Sequence, residues 1–275
     1  MMPSARSVLD RLRLSAKKRF GQNFLNDADD LDFIADALGL RENETVLEIG
    51  PGLGALTEAL LKKKLHVAAV EKDLSMVRHL QQQFQGLTLR VFPGDILKFN
   101  LRDLSPEEPN AAVGNIPYNI TSPILFWLVE HRAVLRRAVL TVQWEVAQRL
   151  AGKPGHEGWG ALSVSLQAYA EVRLLRRIPK SHFYPAPKVD SAVVRLDFLP
   201  KPRFEEAHRG IFHEIVARAF QKRRKMLLNA LENERAGHDK QALSDAFECA
   251  SIDPKRRPET LSVSEWVSLA ACLSK

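Results

Sequence analysis

Residues 46–60 read VLEIGPGLGALTEAL, and this stretch decides the fold. A short, mostly apolar run at 46–49 is followed by glycines at alternate positions, and then by alanines and leucines at helical spacing. Glycine allows the backbone to adopt positive φ and allows a ligand to approach it closely. The stretch therefore predicts a buried strand, a glycine loop and a helix, in that order.

Strand and helix patterns alternate along the rest of the first 200 residues. The predicted strands cover 45–49, 66–70, 88–92, 111–114, 138–142, 171–178 and 191–198. The predicted helices between them cover 56–64, 74–85, 123–130 and 162–169, with Ser122 as the N-cap of the third and Pro123 in its first turn. This alternation predicts an α/β fold, a mainly parallel sheet with helices on both faces. The 179–187 loop is too short for a helical crossover, so the last two strands should run antiparallel.

The C-terminal quarter has a different pattern. Residues 199–202, Leu-Pro-Lys-Pro, are typical of a linker, and helical spacing follows at 205–218, 225–234, 241–249 and 262–273. We therefore predict an α/β domain over 1–199, with a basic N-terminal arm at 1–20, and a small helical domain over 200–275.

Acidic side chains end the first three predicted strands. Glu48 precedes Gly50 and Gly52 in the glycine loop, Glu71 ends the second strand, and Asp95 follows the third. A carboxylate about twenty residues beyond the loop can accept hydrogen bonds from both ribose hydroxyls, and Asp95 could accept one from an adenine amine. NAD and S-adenosylmethionine both fit this plan. The acid at Glu48 favours S-adenosylmethionine, because its amino and sulfonium groups are cationic.

Residues 115–118, Asn-Ile-Pro-Tyr, directly follow an apolar strand. An adenine amine is a poor nucleophile because its lone pair is delocalised into the ring, and two hydrogen-bond acceptors would favour a pyramidal nitrogen. The candidate acceptors are the side-chain oxygen of Asn115 and the backbone carbonyl of Ile116, carried on a turn that Pro117 fixes. Tyr118 is predicted to stack on a flipped base, with Phe183 as a second aromatic wall.

The charge distribution indicates a nucleic-acid partner. The chain of 275 residues has a formal net charge of +7 and a pI of about 9.5. Its basic residues are bunched, for example at 17–19, 222–225 and 255–257. Bunched positive charge is the electrostatic pattern expected of a protein that binds phosphate backbones.

Other features argue against several further classes. Cys249 and Cys272 lie far apart with no CxxC spacing, which argues against a zinc or disulfide framework and fits a reducing cytoplasm. No apolar run approaches the roughly 20 residues that span a bilayer. The N-terminus lacks the apolar block of a secretory signal, although its Arg and Ser content leaves a mitochondrial presequence open. The histidines show no ligand spacing, so no metal is assigned.

With these features in place, the sequence resembles the ribosomal RNA adenine N6,N6-dimethyltransferases of the small-subunit, kasugamycin-sensitivity type. The matching segments are FGQNFLND (20–27), VLEIGPGLGALTEAL (46–60), VEKD (70–73), GD (94–95), NIPYNITSPIL (115–125), FYPAPKVDSAVVRL (183–196), FQKRRKMLLNAL (220–231) and IDPKRRPETLSVSEW (252–266). They follow the family's order along nearly the whole chain. Two positions depart from it: Trp144 stands where relatives often carry a basic residue, and Ala186 interrupts what is commonly a run of prolines.

The resemblance implies both a function and a site. It implies S-adenosylmethionine-dependent dimethylation of two adjacent adenosines in a hairpin loop near the 3′ end of small-subunit rRNA, within an immature 30S-type particle, by a cytoplasmic, monomeric enzyme. It implies a Rossmann-like methyltransferase fold with one antiparallel strand among seven. The implied cofactor-binding residues are Asn23, Leu25, Gly50, Glu71, Asp95 and Asn115. It also favours phosphate contact by Lys222, Arg223, Arg224 and Lys225.

Three alternatives are set against this hypothesis. The macrolide-resistance methyltransferases act on large-subunit RNA and share the QNFL, EIGPG and NIPYN segments, but the 183–196 and 220–231 segments look more like the small-subunit group. A DNA adenine methyltransferase would carry an extended target-recognition domain, for which the sequence shows no candidate. An assembly factor, whose binding role outweighs catalysis, would not need an intact glycine loop together with Glu71 and Asn115.

Overall fold

The computed structural model describes residues 4–17, 21–104, 108–222, 224–232 and 239–274. The strands are β1 Phe24–Leu25, β2 Thr45–Ile49, β3 His66–Glu71, β4 Leu89–Pro93, β5 Ala111–Asn115, β6 Arg137–Gln143, β7 Ala170–Ile178, β8 Phe183–Tyr184 and β9 Ser191–Phe198. The α-helices are α1 Ala5–Leu12, α2 Ala28–Ala37, α3 Ala55–Lys62, α4 Leu74–Gln83, α5 Thr121–Glu130, α6 Trp144–Leu150, α7 Ala161–Gln167, α8 Arg209–Gln221, α9 Leu227–Leu231, α10 Lys240–Cys249 and α11 Val263–Leu273.

The main sheet has seven strands in the order β4-β3-β2-β5-β6-β9-β7. The pairs β2–β3, β3–β4, β2–β5 and β5–β6 are parallel, whereas β9 runs antiparallel to β6, with Gln143 opposite Ser191. The predicted Rossmann-like fold, mostly parallel with one antiparallel strand, is confirmed. Because parallel strands end at the same edge, β2, β3 and β5 bring Glu48, Glu71 and Asn115 to one side of the sheet.

Two short strands that the sequence analysis did not predict form a second sheet. β1 pairs antiparallel with β8, with Phe24 opposite Tyr184 and Leu25 opposite Phe183. The pairing joins the QNFL segment to the FYPAP segment. A strand of two residues carries no detectable period, so only the contact between the segments reveals it.

Several predicted helix bounds differ from the structure. The third helix was predicted from 123 with Ser122 as N-cap, but α5 begins at Thr121 and its N-cap, Ile120, makes no side-chain cap. The reason is that Tyr118–Ile120 already form a 3-10 turn that leads directly into the helix. The helix predicted over 225–234 is shorter, since α9 begins only at Leu227, where apolar side chains become buried, and Lys222, Arg224 and Lys225 lie between α8 and α9.

The sequence analysis assigned residues 1–20 to a basic N-terminal arm without secondary structure of its own. Instead, residues 5–12 form α1, whose buried Val8 and Leu9 pack in an apolar cluster with Phe24, Leu53 and Met76. The helix is therefore part of the first unit. Residues 1–3 and 18–20 lie outside the described chain.

The chain divides into two compact units. The first contains Met1–Ala147 and Val172–Phe198, and the second contains Gln148–Glu171 and Leu199–Lys275. The sequence analysis assigned 148–171 to the first domain, and the structure differs there. Hydrogen bonds explain the difference: the buried Trp159 donates its indole N–H to the Leu261 carbonyl at 2.9 Å, and the Tyr169 hydroxyl lies 2.8 Å from His213 Nε2.

The two cysteines correct another expectation. Their spacing argued against a disulfide, but Cys249 at the end of α10 is bonded to Cys272 in α11, with Cα atoms 6.1 Å apart. Sequence separation did not reveal the contact, because the pairing of the two helices brings the positions together. No helix in the described part of the chain is long and apolar enough to cross a membrane.

Gly114 in β5 is the residue on which the close approach of β5 and β2 depends. A Cβ atom at this position would lie 2.6 Å from the Ile49 carbonyl oxygen, a backbone atom that cannot rotate away. We expect Gly114→Ala to lower the free energy of unfolding by about 1–3 kcal/mol, measured by urea denaturation. Gly210→Ala is the matched control, since its added Cβ meets nothing within 4 Å. Equal stability of the two variants would contradict this packing.

Candidate active site

One cavity of the first unit gathers most of the predicted site. Its lining includes these predicted residues: Asn23, Leu25, Glu48, Gly50, Gly52, Glu71, Asp95, Asn115, Ile116, Pro117 and Tyr118. They come from β1 and the residue before it, from the ends of β2, β3 and β5, and from the loops after β2, β4 and β5. The cavity is therefore built at the edge of the sheet where parallel strands end.

The glycine loop forms one wall of this cavity. Gly50, Gly52 and Gly54 all have positive φ, at 66°, 57° and 85°. A Cβ built on Gly50 would meet nothing within 4 Å, so the backbone there faces open space. A Cβ on Gly52 would lie 2.9 Å from the ring of Phe24. The loop thus offers an accessible backbone on one side and packs against an aromatic ring on the other.

Glu48 is a buried acid below this loop. Its side-chain oxygen accepts a hydrogen bond from Thr57 Oγ at 2.6 Å, and the residue is almost fully buried. Burial raises the pKa of Glu48 to about 8, the Thr57 hydrogen bond opposes that shift, and the nearby Glu71 adds to it. A cation in the cavity would favour the ionised form of this carboxylate.

Glu71 supports the glycine loop from the neighbouring strand. One carboxylate oxygen accepts from the Gly52 N–H at 3.1 Å, and the other accepts from the Asp73 N–H at 2.7 Å. Burial raises the pKa of Glu71, while these backbone hydrogen bonds oppose the shift. Each oxygen retains a lone pair, so the carboxylate can still accept hydrogen bonds from a diol.

Asp95 is the third acid of the cavity and stays ionised. Lys72 Nζ lies 2.8 Å from one carboxylate oxygen, and this hydrogen bond holds the pKa of Asp95 below its ordinary value. The other oxygen accepts from the Leu97 N–H at 3.1 Å. An ionised carboxylate is an acceptor only, which suits recognition of an exocyclic amine.

Asn115 is held by the segment around β1. Its Nδ2 donates a hydrogen bond to the Asn23 backbone carbonyl at 2.7 Å. Because this contact uses the amide nitrogen as donor, the amide oxygen is the atom that can accept a hydrogen bond from a ligand. The Ile116 N–H donates to the Thr141 carbonyl of β6 at 3.1 Å, which fixes the next residue to the sheet.

Tyr118 is anchored through its hydroxyl. The phenol oxygen lies 2.7 Å from Ser191 Oγ, and Ser191 is fully buried at the start of β9. Burial raises the pKa of Tyr118, so the phenol is neutral across the physiological range. The contact holds the ring at the wall of the cavity, where it remains half-buried.

Phe183 does not reach the cavity. Its ring is 4% exposed and packs in the hydrophobic core with Leu25, Ile178 and Val193. The proposed second aromatic wall is therefore not supplied by this residue. Its place in β8, opposite Leu25, makes it part of the support beneath β1 instead.

Other lining residues were missed by the sequence analysis. Phe24, Gln22 and Leu53 line the cavity, together with Ala5 and Val8 of α1. The signal for α1 was present, because apolar residues recur at positions 5, 8, 9 and 12, the spacing of one helix face. The other three come close only through tertiary packing.

No metal was assigned from the sequence, yet three possible ligands lie together outside the cavity. The ligand atoms of Asp27, Asp30 and His182 lie within 4.8 Å of one another. His182 Nδ1 is 2.8 Å from Asp30, and Arg176 lies 3.2 Å from the same carboxylate. The guanidinium already compensates the buried Asp30, so we interpret the cluster as an ion-pair network that ties α2 to the turn before β8.

The predicted phosphate-contacting residues lie in the second unit. Lys222, Arg224 and Lys225 are exposed between α8 and α9. Arg223 lies outside the described residues. A short exposed loop with adjacent cations can follow a phosphate backbone more freely than one face of a helix can.

The fold and the site define the class: a Rossmann-like methyltransferase that uses S-adenosylmethionine. The family model for ribosomal RNA adenine dimethylases matches residues 13–275. The chain is 40% identical over 273 residues to the ribosomal RNA small subunit methyltransferase A of Myxococcus xanthus, covering 99% of this chain and 96% of that protein. It is 43% identical over 281 residues to the protein of the same name from Anaeromyxobacter sp. (strain K), covering 98% of each. The chain belongs to the ribosomal RNA adenine dimethylase family.

Solved structures show the same fold. A dimethyladenosine transferase from Plasmodium falciparum superposes with a TM-score of 0.78 at 25% identity, over 90% of this chain and 95% of that one. The 23S rRNA methyltransferase ErmE superposes with a TM-score of 0.72 at 28% identity, over 92% and 100%.

Glu48→Gln tests the buried acid through its effect on pH-dependent stability. Between its ordinary pKa of 4.5 and its folded-state value of about 8, Glu48 keeps a proton that the unfolded chain releases. The wild type should therefore lose stability relative to the variant as pH rises through this window, by up to roughly 1.4 kcal/mol per pH unit. Urea midpoints of the ligand-free proteins from pH 5 to pH 8.5 measure the difference.

The same variant should bind S-adenosylmethionine more weakly, because a neutral amide does not attract a cation. S-adenosylhomocysteine lacks the sulfonium charge and provides the comparison. Equal weakening for both would place Glu48 near the amino group, whereas weakening for S-adenosylmethionine alone would place it near the sulfur. A pH-independent stability difference would contradict the raised pKa.

Proposed function

We propose that the protein dimethylates the N6 amines of two adjacent adenosines in a hairpin loop near the 3′ end of small-subunit rRNA, within an immature small-subunit particle in the cytoplasm. One observation carries the proposal: the hydrogen bond from Asn115 Nδ2 to the Asn23 carbonyl, 2.7 Å long. Because the amide nitrogen is bonded to Asn23, the amide oxygen is left as the acceptor of a residue that lines the cavity, and such an oxygen can accept a hydrogen bond from an exocyclic amine.

The acceptor geometry prepares the amine for attack. Asn115 ends β5, and the Ile116 N–H is bonded to β6, so the backbone on which both acceptors stand is fixed. Pro117, with φ of −57°, adds a rigid turn directly after them. Acceptors held in place before the substrate arrives stabilise a pyramidal nitrogen without a reorganisation cost.

The cofactor, when bound, supplies an electrophilic methyl group, so the protein's own contribution is alignment. Glu71 and Asp95 are placed to accept hydrogen bonds from ribose and adenine groups, and Gly50 leaves room beside the backbone. After transfer the alkylated nitrogen is strongly acidic and can release its proton to water. The reaction therefore requires no general base.

Tyr118 is the aromatic group that we propose stacks on the flipped adenine. Base–aromatic stacking contributes roughly 1–3 kcal/mol per base, which offsets much of the unstacking cost. The bond to Ser191 holds the hydroxyl away from the cavity and keeps the ring in place.

The large-subunit alternative is less favoured. The relatives named for the small subunit share 40% and 43% identity with this chain, against 28% for the 23S rRNA methyltransferase ErmE. Fold similarity alone does not separate the two substrates, because the 23S rRNA methyltransferase ErmE has the same fold. The substrate itself has to be tested.

Asn115→Ala tests the mechanism and the substrate together. With labelled S-adenosylmethionine, we expect the wild type to label immature small subunits in preference to large-subunit RNA or DNA. We expect the variant to lose at least about a hundredfold in methylation rate, the usual effect of removing a preorganised hydrogen-bonding group. Label on large-subunit RNA or DNA alone would overturn the substrate, and full activity of the variant would overturn the role of Asn115.

Asn115→Asp is the matched variant for that experiment. It keeps an acceptor of the same size but removes the Nδ2 donor, and it places a carboxylate beside the Asn23 carbonyl. We expect it to be inactive as well, because it cannot form the anchoring hydrogen bond. Cofactor binding by calorimetry separates this effect from a loss of the cofactor site.

Neutralising Lys222, Arg224 and Lys225 to glutamine tests the phosphate contacts. The plot of log affinity against log salt concentration has a negative slope. Its magnitude should decrease by about 0.7–0.9 for each phosphate that the variant no longer neutralises, while the affinity for the cofactor stays the same. Neutralising residues 62–64 is the control, because those lysines pair with Glu58, Asp36 and Glu42. An unchanged slope in the first variant would remove this loop from the RNA interface.

A further inference from the structure

Trp144 begins α6 directly after β6, at the edge of the sheet that carries the cavity. It is half-buried, whereas the other three of the chain's four tryptophans, all within the described residues, are buried: Trp127, Trp159 and Trp266. Arg177 lies over its ring, with the guanidinium carbon 4.8 Å from the ring centroid. A partly exposed aromatic ring under a guanidinium needs an explanation, since packing alone favours burial.

Asp190 fixes this pair in position. Its carboxylate lies 2.7 Å from Arg177 Nη2 and also accepts from the Lys180 N–H at 3.0 Å. Its backbone carbonyl accepts from the Trp144 N–H at 3.0 Å. The ring and the guanidinium are therefore both tied to one residue, and the side chain of Arg177 still remains 57% exposed.

The pair lies near Tyr118, the ring that we propose stacks on the target base. The Thr141 carbonyl of β6 accepts a hydrogen bond from the Ile116 N–H. Trp144 lies three residues further along the chain, a span of about 10 Å in an extended strand. The residue before it, Gln143, is opposite Ser191, and Ser191 is bonded to Tyr118. The tryptophan and the tyrosine thus stand at the same edge of the sheet, on neighbouring elements.

We propose that Trp144 and Arg177 form a stacking platform for a nucleotide next to the methylated adenosine, which deepens and rests on the proposed function. Bases in single-stranded RNA stack on aromatic rings and on guanidinium planes. Because Asp190 neutralises Arg177, the platform recognises a base face and not a phosphate.

Tryptophan fluorescence and salt dependence test this proposal in the full-length protein. Adding the small-subunit hairpin RNA should quench the emission, and Trp144→Phe should abolish that quenching while affinity stays within about threefold. Trp127→Phe, the same change at a buried site, should leave the quenching intact. Trp144→Ala should weaken RNA binding roughly 5- to 100-fold with an unchanged salt slope.

Trp144→Lys provides the sharpest contrast. This variant should bind RNA more tightly than Trp144→Ala does, because the lysine can contact a phosphate. The slope of log affinity against log salt concentration should become steeper by about 0.7–0.9 than in the wild type. Thermal unfolding and cofactor affinity of all variants should match the wild type. RNA binding by Trp144→Ala at wild-type strength, quenching that survives in Trp144→Phe, or weaker binding explained by reduced thermal stability would each overturn the platform.

The same series separates this inference from the proposed function. If the wild type methylates small-subunit RNA but shows no quenching, the platform fails and the function stands. If RNA quenches Trp144 but the wild type labels only large-subunit RNA or DNA, the assigned substrate fails and the platform stands.

Discussion

The hydrogen bond between Asn115 and the Asn23 carbonyl is the contact on which the arrangement of the site depends. It joins residues 92 positions apart and connects the end of β5 to the segment that enters β1. A side-chain amide has both donors and acceptors, and this contact decides which of them faces the ligand. β1 is itself held by β8, and Phe183 supports that pair from the core. A residue outside the cavity thus positions the oxygen inside it.

The same edge of the sheet also carries an unusual concentration of acid. Glu48 and Glu71 are buried close together, and the pKa of each is raised by burial. In the absence of a cation such a pair costs stability, because neither carboxylate ionises easily away from water. A cationic ligand near these carboxylates favours their ionised forms. Part of the free energy that their burial costs is then recovered when the ligand binds.

Sequence periodicity predicted the sheet, but it could not predict which side chains from other segments line the cavity. Strand-end positions of Glu48, Glu71 and Asn115 follow from strand order, and parallel strands leave little freedom in where their ends meet. The prediction that Phe183 forms a second aromatic wall was wrong. An aromatic residue in a Pro-rich loop can face either the core or the solvent, and the local sequence does not distinguish these two orientations. Residues 148–171 belong to the second unit because Trp159 and Tyr169 form hydrogen bonds within it. Their hydrogen-bond partners, Leu261 and His213, lie 102 and 44 residues away in sequence. Long-range pairing of this kind leaves no local pattern.

Two methylations of one amine place a further demand on the site. After the first transfer the nitrogen has a single N–H, so it can bond to only one of the two proposed acceptors. An acceptor side chain whose orientation depended on the lost hydrogen bond to the substrate would then be free to rotate. Asn115 is not held in that way, because its Nδ2 bonds to Asn23 whether or not the substrate is present. Likewise Tyr118 is fixed through Ser191, so the ring does not need two amine contacts to stay aligned. The anchors that position these groups are independent of the methylation state of the base, which is what a single pocket for both proposed transfers requires.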